Sequence, residues 1–433
     1  MPISSFMGLE TSLRGLLAQQ RALDVTTHNI ANADRAGYTR QTAVLAAAPA
    51  LSVAGALQNG ATGQLGQGVD VQAYQRLRDA FADLQYRAAN MTSGDGSARA
   101  NALDQVDDAF GEPSDTGLNA ALSSFFDSWD ALAANPESSA AKQVVVGTAT
   151  TLASAFNALD GRLAALAGNA SQEYADLTGP NGAVMSSATE LQQLNVAIRD
   201  AVQGGGSPND LLDRRDQILD NLSALGQVSV TDVGNGMISV QFGDAASPLV
   251  DANNAVNPPA GMTAPGGRLG ALLSVQTTIA GYRTSLDQVA TQLSNGVSAA
   301  LGGATFFSGA TAGTLAVTAT AATLPTTATG ATGGNELARA VAALRGGAAQ
   351  SAYADLVHTM GADTATADRA AQTGKALVDA ADARRQSTNG VSLDEEMTNM
   401  VRFQRGYQAS ARAMSTMDEM LDVLINRTGK VGL

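Results

Sequence analysis

The sequence contains no cysteine and only two histidines, His28 and His358. The absence of cysteine excludes disulfide bonds, thiolate nucleophiles and cysteine metal ligands. Two histidines are too few for a histidine-rich metal site, and we expect each to be solvated or bonded to a neighbour. We therefore expect neither a metal nor another cofactor.

Aromatic residues and positive charges are also scarce. Aromatic residues make up 4% of the 433 residues and charged residues 15%, whereas glycine occurs 45 times. This composition favours tightly packed helices with small side chains over large aromatic-lined pockets, which argues against an enzyme. The 26 Lys and Arg residues face 40 Asp and Glu residues, for a net charge of -14. Because phosphate binding needs a basic surface, we expect no nucleic acid partner.

Long apolar runs are missing as well. No stretch reaches the roughly 18 apolar residues that a membrane span needs, and no polybasic patch for a membrane surface is present. The N-terminal segment MPISSFMGLETSLRG lacks the charged region and apolar core of a cleavable secretory signal. Taken alone, these absences predict a cytoplasmic protein, but a route of export that leaves the N-terminus uncut would escape this test.

Amphipathic helices are predicted at both ends of the chain. Each has an apolar stripe, found by steps of three and four residues, with few polar interruptions. The stripes predict an intramolecular helix pair that closes a bundle, with or without further pairing between subunits. Ser392 is expected to cap the second helix, and Glu395 to complete a capping box. The apolar members of the two stripes are Phe6, Leu9, Leu13, Leu16, Leu23 and Ile30, and Met400, Phe403, Tyr407, Met414, Met417, Leu421 and Leu424.

The first helix ends in an unusually polar segment, HNIANADRAGYTR. Asn29 and Asn32 can bond nearby backbone and tolerate left-handed conformations, and Gly37 can supply a positive φ. We therefore expect the chain to turn outward here toward the next domain. Tyr38 and Arg40 are predicted, as a hypothesis, to lie at a contact between layers of subunits.

Most of the remaining chain reads as helices with two interruptions. Asn135 is the expected N-cap of a long helix, with Pro136 at its first position. A β-hairpin is predicted around Gly-Asn-Gly at residues 227–243, and the Thr-, Ala- and Gly-rich segment 306–334 is expected to be an irregular, exposed insertion. The predicted fold is mainly α, an elongated multi-domain helical bundle with coiled-coil-like terminal helices and small β-rich insertions. Its expected domains are a terminal helical domain (1–36 with 392–433), a central helical bundle (37–226, 266–301 and 335–391) and outer insertions (227–265 and 302–334).

No motif predicts catalysis. GQLGQGVD, residues 63–70, lacks the context of a phosphate-binding loop and is better explained as a turn that leads into a strand. DLLDRRDQILD clusters Asp210, Asp213 and Asp216 with two arginines, which predicts a solvated helix face whose charges pair with one another. We therefore expect no enzyme.

The two ends of the chain resemble a known family. LDVTTHNIANADRAGYTRQ resembles the N-terminal signature of the bacterial flagellar axial proteins of the rod, the hook and the hook-filament junction. GVSLDEEMTNMVRFQRGYQASARAMSTMDEMLDVLINR is similar to the C-terminal end of the same family. Its LDEE beginning and RFQ core resemble the hook-associated protein 1 branch, as do residues 68–87, 123–143 and 207–223. The resemblance is weakest over 227–265 and 302–334, which implies a reduced outer domain.

This resemblance implies a structural subunit of the flagellum. Such a subunit is exported unfolded through the flagellar type III apparatus without cleavage and forms a short ring-like zone of identical copies at the end of the hook, outside the cell. Its implied partners are the hook protein, hook-associated protein 3 and an export chaperone that binds the C-terminal helix, residues 393–427. The terminal helices are implied to form the inner tube of the axial structure.

Two alternatives stay open at this point. One is a hook or distal rod subunit of the same axial family. The other, from a different class, is a secreted surface enzyme or adhesin displayed by the central insertions, although these segments contain no clustered acids, histidines or aromatic residues.

Overall fold

Helices make up most of the chain in the computed structural model, which describes residues 6–53 and 63–427. The α-helices follow the chain as α1 (Met7–Ala31), α2 (Ala80–Phe110), α3 (Leu118–Ala134), α4 (Ser139–Thr178), α5 (Ala183–Gln203), α6 (Asn209–Leu225), α7 (Gly267–Ala300), α8 (Glu336–Ala342), α9 (Ala348–Asn389) and α10 (Leu393–Asp422). A π-helical turn, Val423–Arg427, extends α10.

The strands are short and form antiparallel pairs. β1 (Gln41–Ala47) pairs with β4 (Val69–Arg76), and β2 (Leu51–Val53) with β3 (Gly63–Leu65). β5 (Val228–Gly234) pairs with β6 (Met237–Phe242), and β7 (Phe307–Ser308) with β8 (Ala316–Val317). The prediction of a mainly α, elongated helical protein with small β elements is confirmed.

The larger hydrophobic core joins α2, α3, α4, α7, α8 and α9. At its centre, the rings of Phe125 and Trp129 on α3 pack against Phe306 and Phe307, with centroids 5.6 Å apart for Trp129 and Phe306. The expectation that residues 306–334 form an exposed insertion is therefore wrong for Phe306 and Phe307. The segment has no helical period, but its two adjacent phenylalanines are almost completely buried. Burial of aromatic rings of this size fixes an otherwise irregular segment on the core.

A second core lies where the predicted β-hairpin packs against helices. Ile238, Val240 and Phe242 alternate along β6 and are buried against α5, α6 and the start of α7. Asn235 and Gly236, which join the strands, both have positive φ values, of 51° and 77°. A two-residue turn of this kind matches the twist of the strands. The hairpin prediction is thus confirmed.

The start of α4 was predicted at the wrong residue. Asn135 does not cap α4 but terminates α3, with a non-helical ψ of 68°. Its place before Pro136 explains this, because a residue before proline avoids the helical conformation. The N-cap of α4 is Ser138, whose hydroxyl accepts a hydrogen bond of 3.2 Å from the backbone N–H of Ala141.

Glycine inside α2 permits two close helix contacts. A Cβ added at Gly94 would overlap the backbone oxygen of Ala224 at the end of α6, and one at Gly96 would lie 3.0 Å from the Cα of Ala371 on α9. Gly374 of α9 approaches the Cα of Ser93 in the same way, at 2.9 Å. These contacts require hydrogen in place of a side chain, although glycine costs helix stability. These close contacts explain why α2 contains two glycines in its SGDGS segment, residues 93–97.

We expect Gly94→Ala to lower the free energy of unfolding of the purified chain by about 1–3 kcal/mol, because overlap outweighs the gain in helix propensity. Urea titration followed by circular dichroism measures this difference. Gly161→Ala in α4 is the matched control, since no atom lies within 4 Å of its added Cβ. It should raise stability by about 0.4–1 kcal/mol. Equal effects of the two substitutions would contradict the close-contact explanation.

Candidate assembly interface

The helices α1 and α10 pack antiparallel, and we call this pair the terminal hairpin. Gly8 faces Met417, Gly15 faces Ser410 and Gly406 faces Gln19, so the two helices keep one register along their length. A Cβ at Gly8 would lie 3.0 Å from the Met417 sulfur, and one at Gly15 would lie 3.1 Å from the Ser410 hydroxyl. The helices therefore approach each other through small residues.

The apolar stripe predicted for α1 is not its buried side. The buried residues of α1 are instead Ala18, Ala22, Thr26 and Asn29. Of the predicted stripe, Phe6 and Leu13 are exposed, and Leu9, Leu16, Leu23 and Ile30 are half-buried. The periodicity of large apolar residues missed this contact because glycine, alanine and threonine form it. An apolar face of α1 is thus left outside the single chain.

The stripe predicted for α10 lies on the side that faces α1. Met400, Phe403, Met414 and Met417 are half-buried and Leu421 is buried, while Tyr407 is exposed. The side chain of Leu424 is outside the described residues. Further exposed apolar residues of α10 and of the π-helical turn are Leu393, Met397, Val401, Met420, Val423 and Ile425.

A β-ribbon formed by β1 and β4 also packs on α1, and it was absent from the sequence prediction of a helical bundle. Gly68, in the turn before β4, has a φ of 90°, and a Cβ there would lie 3.2 Å from the Thr11 methyl carbon. At the other end of the ribbon, the Asn29 side chain is paired with the backbone of Gln41. The turn and strand predicted at residues 63–70 are present.

Polar residues connect the terminal hairpin to the rest of the chain, and we call Asn29, Tyr38, Arg40, Glu395 and Glu396 the polar junction. Arg40 donates from Nε to Glu396 and from Nη1 to Glu395, both at 2.7 Å. Asn29 donates to Glu396 at 3.2 Å and accepts from the Tyr38 hydroxyl at 2.7 Å. The Glu396 side chain is only 2% exposed. The junction therefore holds a buried carboxylate whose charge is paired.

Asn29 makes a second contact, which fixes where the ribbon begins. Its amide donates to the carbonyl of Gln41 at 2.9 Å and accepts from the N–H of Gln41 at 3.0 Å. One side chain thus replaces a strand partner for Gln41. Asn29 was predicted to bond nearby backbone in the helix end, but its partners are twelve residues away and on α10.

The other predicted residues of this region have distinct positions. Asn32 bonds the carbonyl of His28 at 2.9 Å without a left-handed conformation, since its φ is -110°, whereas Gly37 has the predicted positive φ of 78°. Ser392 caps α10 by accepting from the N–H of Glu395 at 3.4 Å. The carboxylate of Glu395 does not complete a capping box, because it pairs with Arg40 across the junction.

Beside the junction, three arginines surround the aspartates of α6. Arg76 donates to Asp213 at 2.7 Å and to Asp216 at 2.9 Å, and Arg78 and Arg87 also pair with Asp216. The side chains of Asp213 and Asp216 are 10% and 14% exposed. The expectation of a solvated face whose charges pair with one another is therefore wrong. The partners come from β4 and α2, more than a hundred residues earlier.

This arginine-aspartate network changes the protonation of its members. Burial alone raises the pKa of Asp216, but the charges of Arg78 and Arg76 outweigh it and hold the pKa below its usual range. Burial lowers the pKa of the neighbouring Arg215 guanidinium. Burial, followed by the charge of Asp213, raises the pKa of the Tyr38 hydroxyl. These shifts indicate a desolvated ionic cluster between the hairpin and the body.

An open cleft of about 780 Å³ borders the junction and the network, with Tyr86, Asp382 and Arg385 on its far side. Its charged side chains are mostly paired with one another. Within the described ranges, no group of three His, Asp or Glu side chains is placed to hold a metal ion. Nor does any described helix have the length and apolarity to cross a membrane. The arrangement can hold two helices in a fixed orientation, and the outer faces of those helices can contact further chains.

Three segments of the chain match known protein families. Residues 103–260 match the family described as flagellar hook-associated protein FlgK helical domain. Residues 384–427 match the flagellar basal body rod FlgEFG protein C-terminal family, and residues 9–39 match the flagella basal body rod protein family. The two rod-family matches fall on the terminal hairpin.

Individual relatives have related names. Flagellar hook-associated protein 1 of Bacillus subtilis is 30% identical over 99% of both chains. The protein of the same name from Salmonella typhimurium is 34% identical over 57% of this chain and 44% of its own length. The solved flagellar hook junction protein FlgK of Burkholderia pseudomallei aligns with a TM-score of 0.44 and 26% identity, over 50% of this chain and 43% of that chain.

We expect Arg40→Ala to release the terminal hairpin from the body. The substitution leaves Glu396 buried without its cation, which costs about 3–5 kcal/mol for pairs of this kind. Limited proteolysis of the purified chain should cut residues 32–40 and 389–393 at least tenfold faster, a change of about 1.4 kcal/mol in opening free energy. Arg21→Ala, at an exposed position of α1, is the control and should leave the pattern unchanged. Equal cleavage of both variants would refute the role of Arg40.

A second prediction concerns acid stability. The pKa of Asp216 is lower in the folded than in the unfolded chain. The ionised carboxylate therefore adds to the free energy of unfolding above about pH 4, and this addition is lost as the pH falls through the pKa of the folded chain. Asp216→Asn should lower the free energy of unfolding by about 3 kcal/mol at pH 7 and by progressively less below pH 4. Urea titrations between pH 3 and pH 7 measure the difference. Asp200→Asn, at a more exposed ion pair, should show a much smaller effect, and a pH-independent loss in Asp216→Asn would contradict the assignment.

Proposed function

The chain belongs to the flagellar hook-associated protein 1 family, and from this membership we propose that it joins the flagellar hook to the filament. Members of this family are structural components of the flagellar axis and not enzymes. The finer assignment to the junction, in preference to the hook or the distal rod, is supported by the full-length similarity to the Bacillus subtilis protein. The rod-family matches cover only the two ends.

The observation that carries this proposal is the terminal hairpin with its uncovered apolar faces. Leu13 on α1 is 44% exposed and Met397 on α10 is 54% exposed, and both belong to a helix pair that is held to the body by buried charges. Exposed apolar surface of this kind marks a contact with other protein. We assign Phe6, Leu9, Leu13, Leu16 and the outer residues of α10 to contacts between copies. The resulting zone of identical subunits contacts the hook protein on one side and hook-associated protein 3 on the other.

Export through the flagellar type III apparatus, without cleavage, accounts for the extracellular site of assembly. The narrow contact between α1 and α10 suits this route, because helices without extensive burial are marginally stable and unfold readily. Before assembly, the exposed apolar residues of α10 must be bound by another protein to be kept from water. We assign this role to an export chaperone that binds residues 393–427.

The decisive experiment removes the chain from a motile strain and then locates a labelled copy. Cells without the gene should build hooks, shed flagellin into the medium and carry no filaments. Cells that express a gold-labelled copy should show label only at the distal end of the hook. Expression of the unaltered gene is the control and should restore filaments.

Other distributions of the label would identify other functions. Label along the whole curved hook would identify a hook subunit, and label inside the hook-basal body below the hook would identify a rod subunit. Normal filaments on the deletion strain would reject the proposed junction function.

A further inference from the structure

Two exposed apolar patches lie on the terminal hairpin, one on each helix. The α1 patch consists of Leu9, Leu13, Leu16 and Leu17, and lies on the side of α1 away from the contacts of Gly8, Gly15 and Gln19 with α10. Leu13 and Leu17 are one helical turn apart and are both exposed. The α10 patch consists of Leu393, Met397 and Val401, whose spacing of four residues places them on one face. All three are about half exposed.

The two patches are at different levels along the hairpin. The register of the hairpin sets Gly15 beside Ser410 and Asn29 beside Glu396, so Leu13 lies level with Arg412. Met397 lies about 15 residues from that level, or about 22 Å at 1.5 Å per residue. Neither patch can therefore cover the other within one chain.

We propose that the α1 patch of one copy packs antiparallel on the α10 patch of the next copy, with Leu13 level with Met397. This inference rests on the proposed function, because it specifies how neighbouring copies meet in the assembled zone. The second copy is then shifted along the hairpin axis by about 22 Å relative to the first. In that register, Leu17 and Leu16 meet Leu393, and Leu9 meets Val401.

The shifted register is favoured over an unshifted one by apolar contact. Without the shift, a neighbour would place Arg412 opposite Leu13 and His28 opposite Met397. Each apolar patch would then face polar or charged side chains. Those side chains would lose their contacts with water without gaining a hydrogen-bond or ion-pair partner. With the shift, both patches lose water to each other.

Charges at the rim of the patches fit the same register. Arg14, which pairs with Glu10 at 3.0 Å within its own chain, comes level with the first turn of α10 of the next copy, where Asp394 has no ion pair with any side chain in the described ranges. Glu10, one turn earlier, comes on the same side toward Arg402 and Arg405. Opposite charges at matching positions select one register among several. Apolar and ionic patterns therefore agree.

The geometry also determines how a series of copies is arranged. Each copy uses α1 toward one neighbour and α10 toward the other, which makes the contact head-to-tail. A head-to-tail contact with a shift along the axis winds the copies on a helix, whereas an unshifted contact can close a flat ring.

Disulfide trapping tests the register, because the chain has no cysteine of its own. The test pair is Leu13→Cys with Met397→Cys, and the matched pair for the unshifted register is Leu13→Cys with Arg412→Cys. Within one chain, residues 13 and 397 lie about 22 Å apart along the hairpin axis. A disulfide spans a Cα separation of only about 4.4–6.8 Å, so the first pair can form only between chains. Hook-basal bodies from cells that carry each variant are oxidised with a copper complex and separated without reductant. Filament attachment before oxidation checks that each variant assembles.

The expected result is a ladder of disulfide-linked dimers and larger species for the first pair and none for the second. A ladder from the second pair alone, or from neither pair in filament-bearing cells, overturns the shifted contact and leaves the junction function standing. Absence of this chain from the hook-basal bodies of filament-bearing cells would instead reject the junction function.

Charge exchange gives an independent test if a cysteine variant fails to assemble. Arg14→Glu and Asp394→Arg should each reduce the number of attached filaments about tenfold, and the double variant should restore it to within about twofold. Arg21→Glu, outside the patch, is the control and should have no effect. Two single losses that add in the double variant would overturn the pairing.

Discussion

The orientation of the terminal hairpin depends on one buried carboxylate, that of Glu396. Arg40 neutralises it from the segment that leaves α1, and Asn29 bonds it from α1 itself. Three stretches of chain thus meet at one charge, although two of them are more than 350 residues apart in sequence. Buried ion pairs add little net stability compared with apolar contacts, but loss of one partner is expensive. The carboxylate therefore acts mainly by excluding other orientations of the two helices.

The arginine-aspartate network extends this constraint into the body. Asp216 on α6 is shared by guanidinium groups from β4, from α2 and from the loop between them, and Asp213 accepts from the backbone N–H of Thr39 at 3.1 Å. The segment between α1 and the β-ribbon is therefore fixed on one side to α10 and on the other to α6. A rigid link of this kind lets a contact at the hairpin set the position of the whole subunit.

The sequence predicted those features that local patterns determine. The periodic stripes located α1 and α10, Ser392 marked the start of α10, and Asn235 with Gly236 marked the β5-β6 hairpin. Contacts between distant segments were not predictable in this way. Asp213 and Asp216 have arginines as helical neighbours, so a local interpretation paired them there. The structure supplies Arg76 and Arg78 from another part of the chain. Phe306 and Phe307 were similarly hidden within a segment whose composition suggested exposure.

The small residues of α1 explain why its function needs other copies. Gly8 and Gly15 bring α10 close, but they bury little apolar area, and burial stabilises roughly in proportion to area. The larger side chains of Leu13 and Leu17 remain exposed. A single chain therefore orders its terminal helices mainly through the polar junction and a narrow contact. In the proposed assembly, neighbouring copies supply the missing burial, so the apolar faces that the single chain leaves exposed become packed in the polymer.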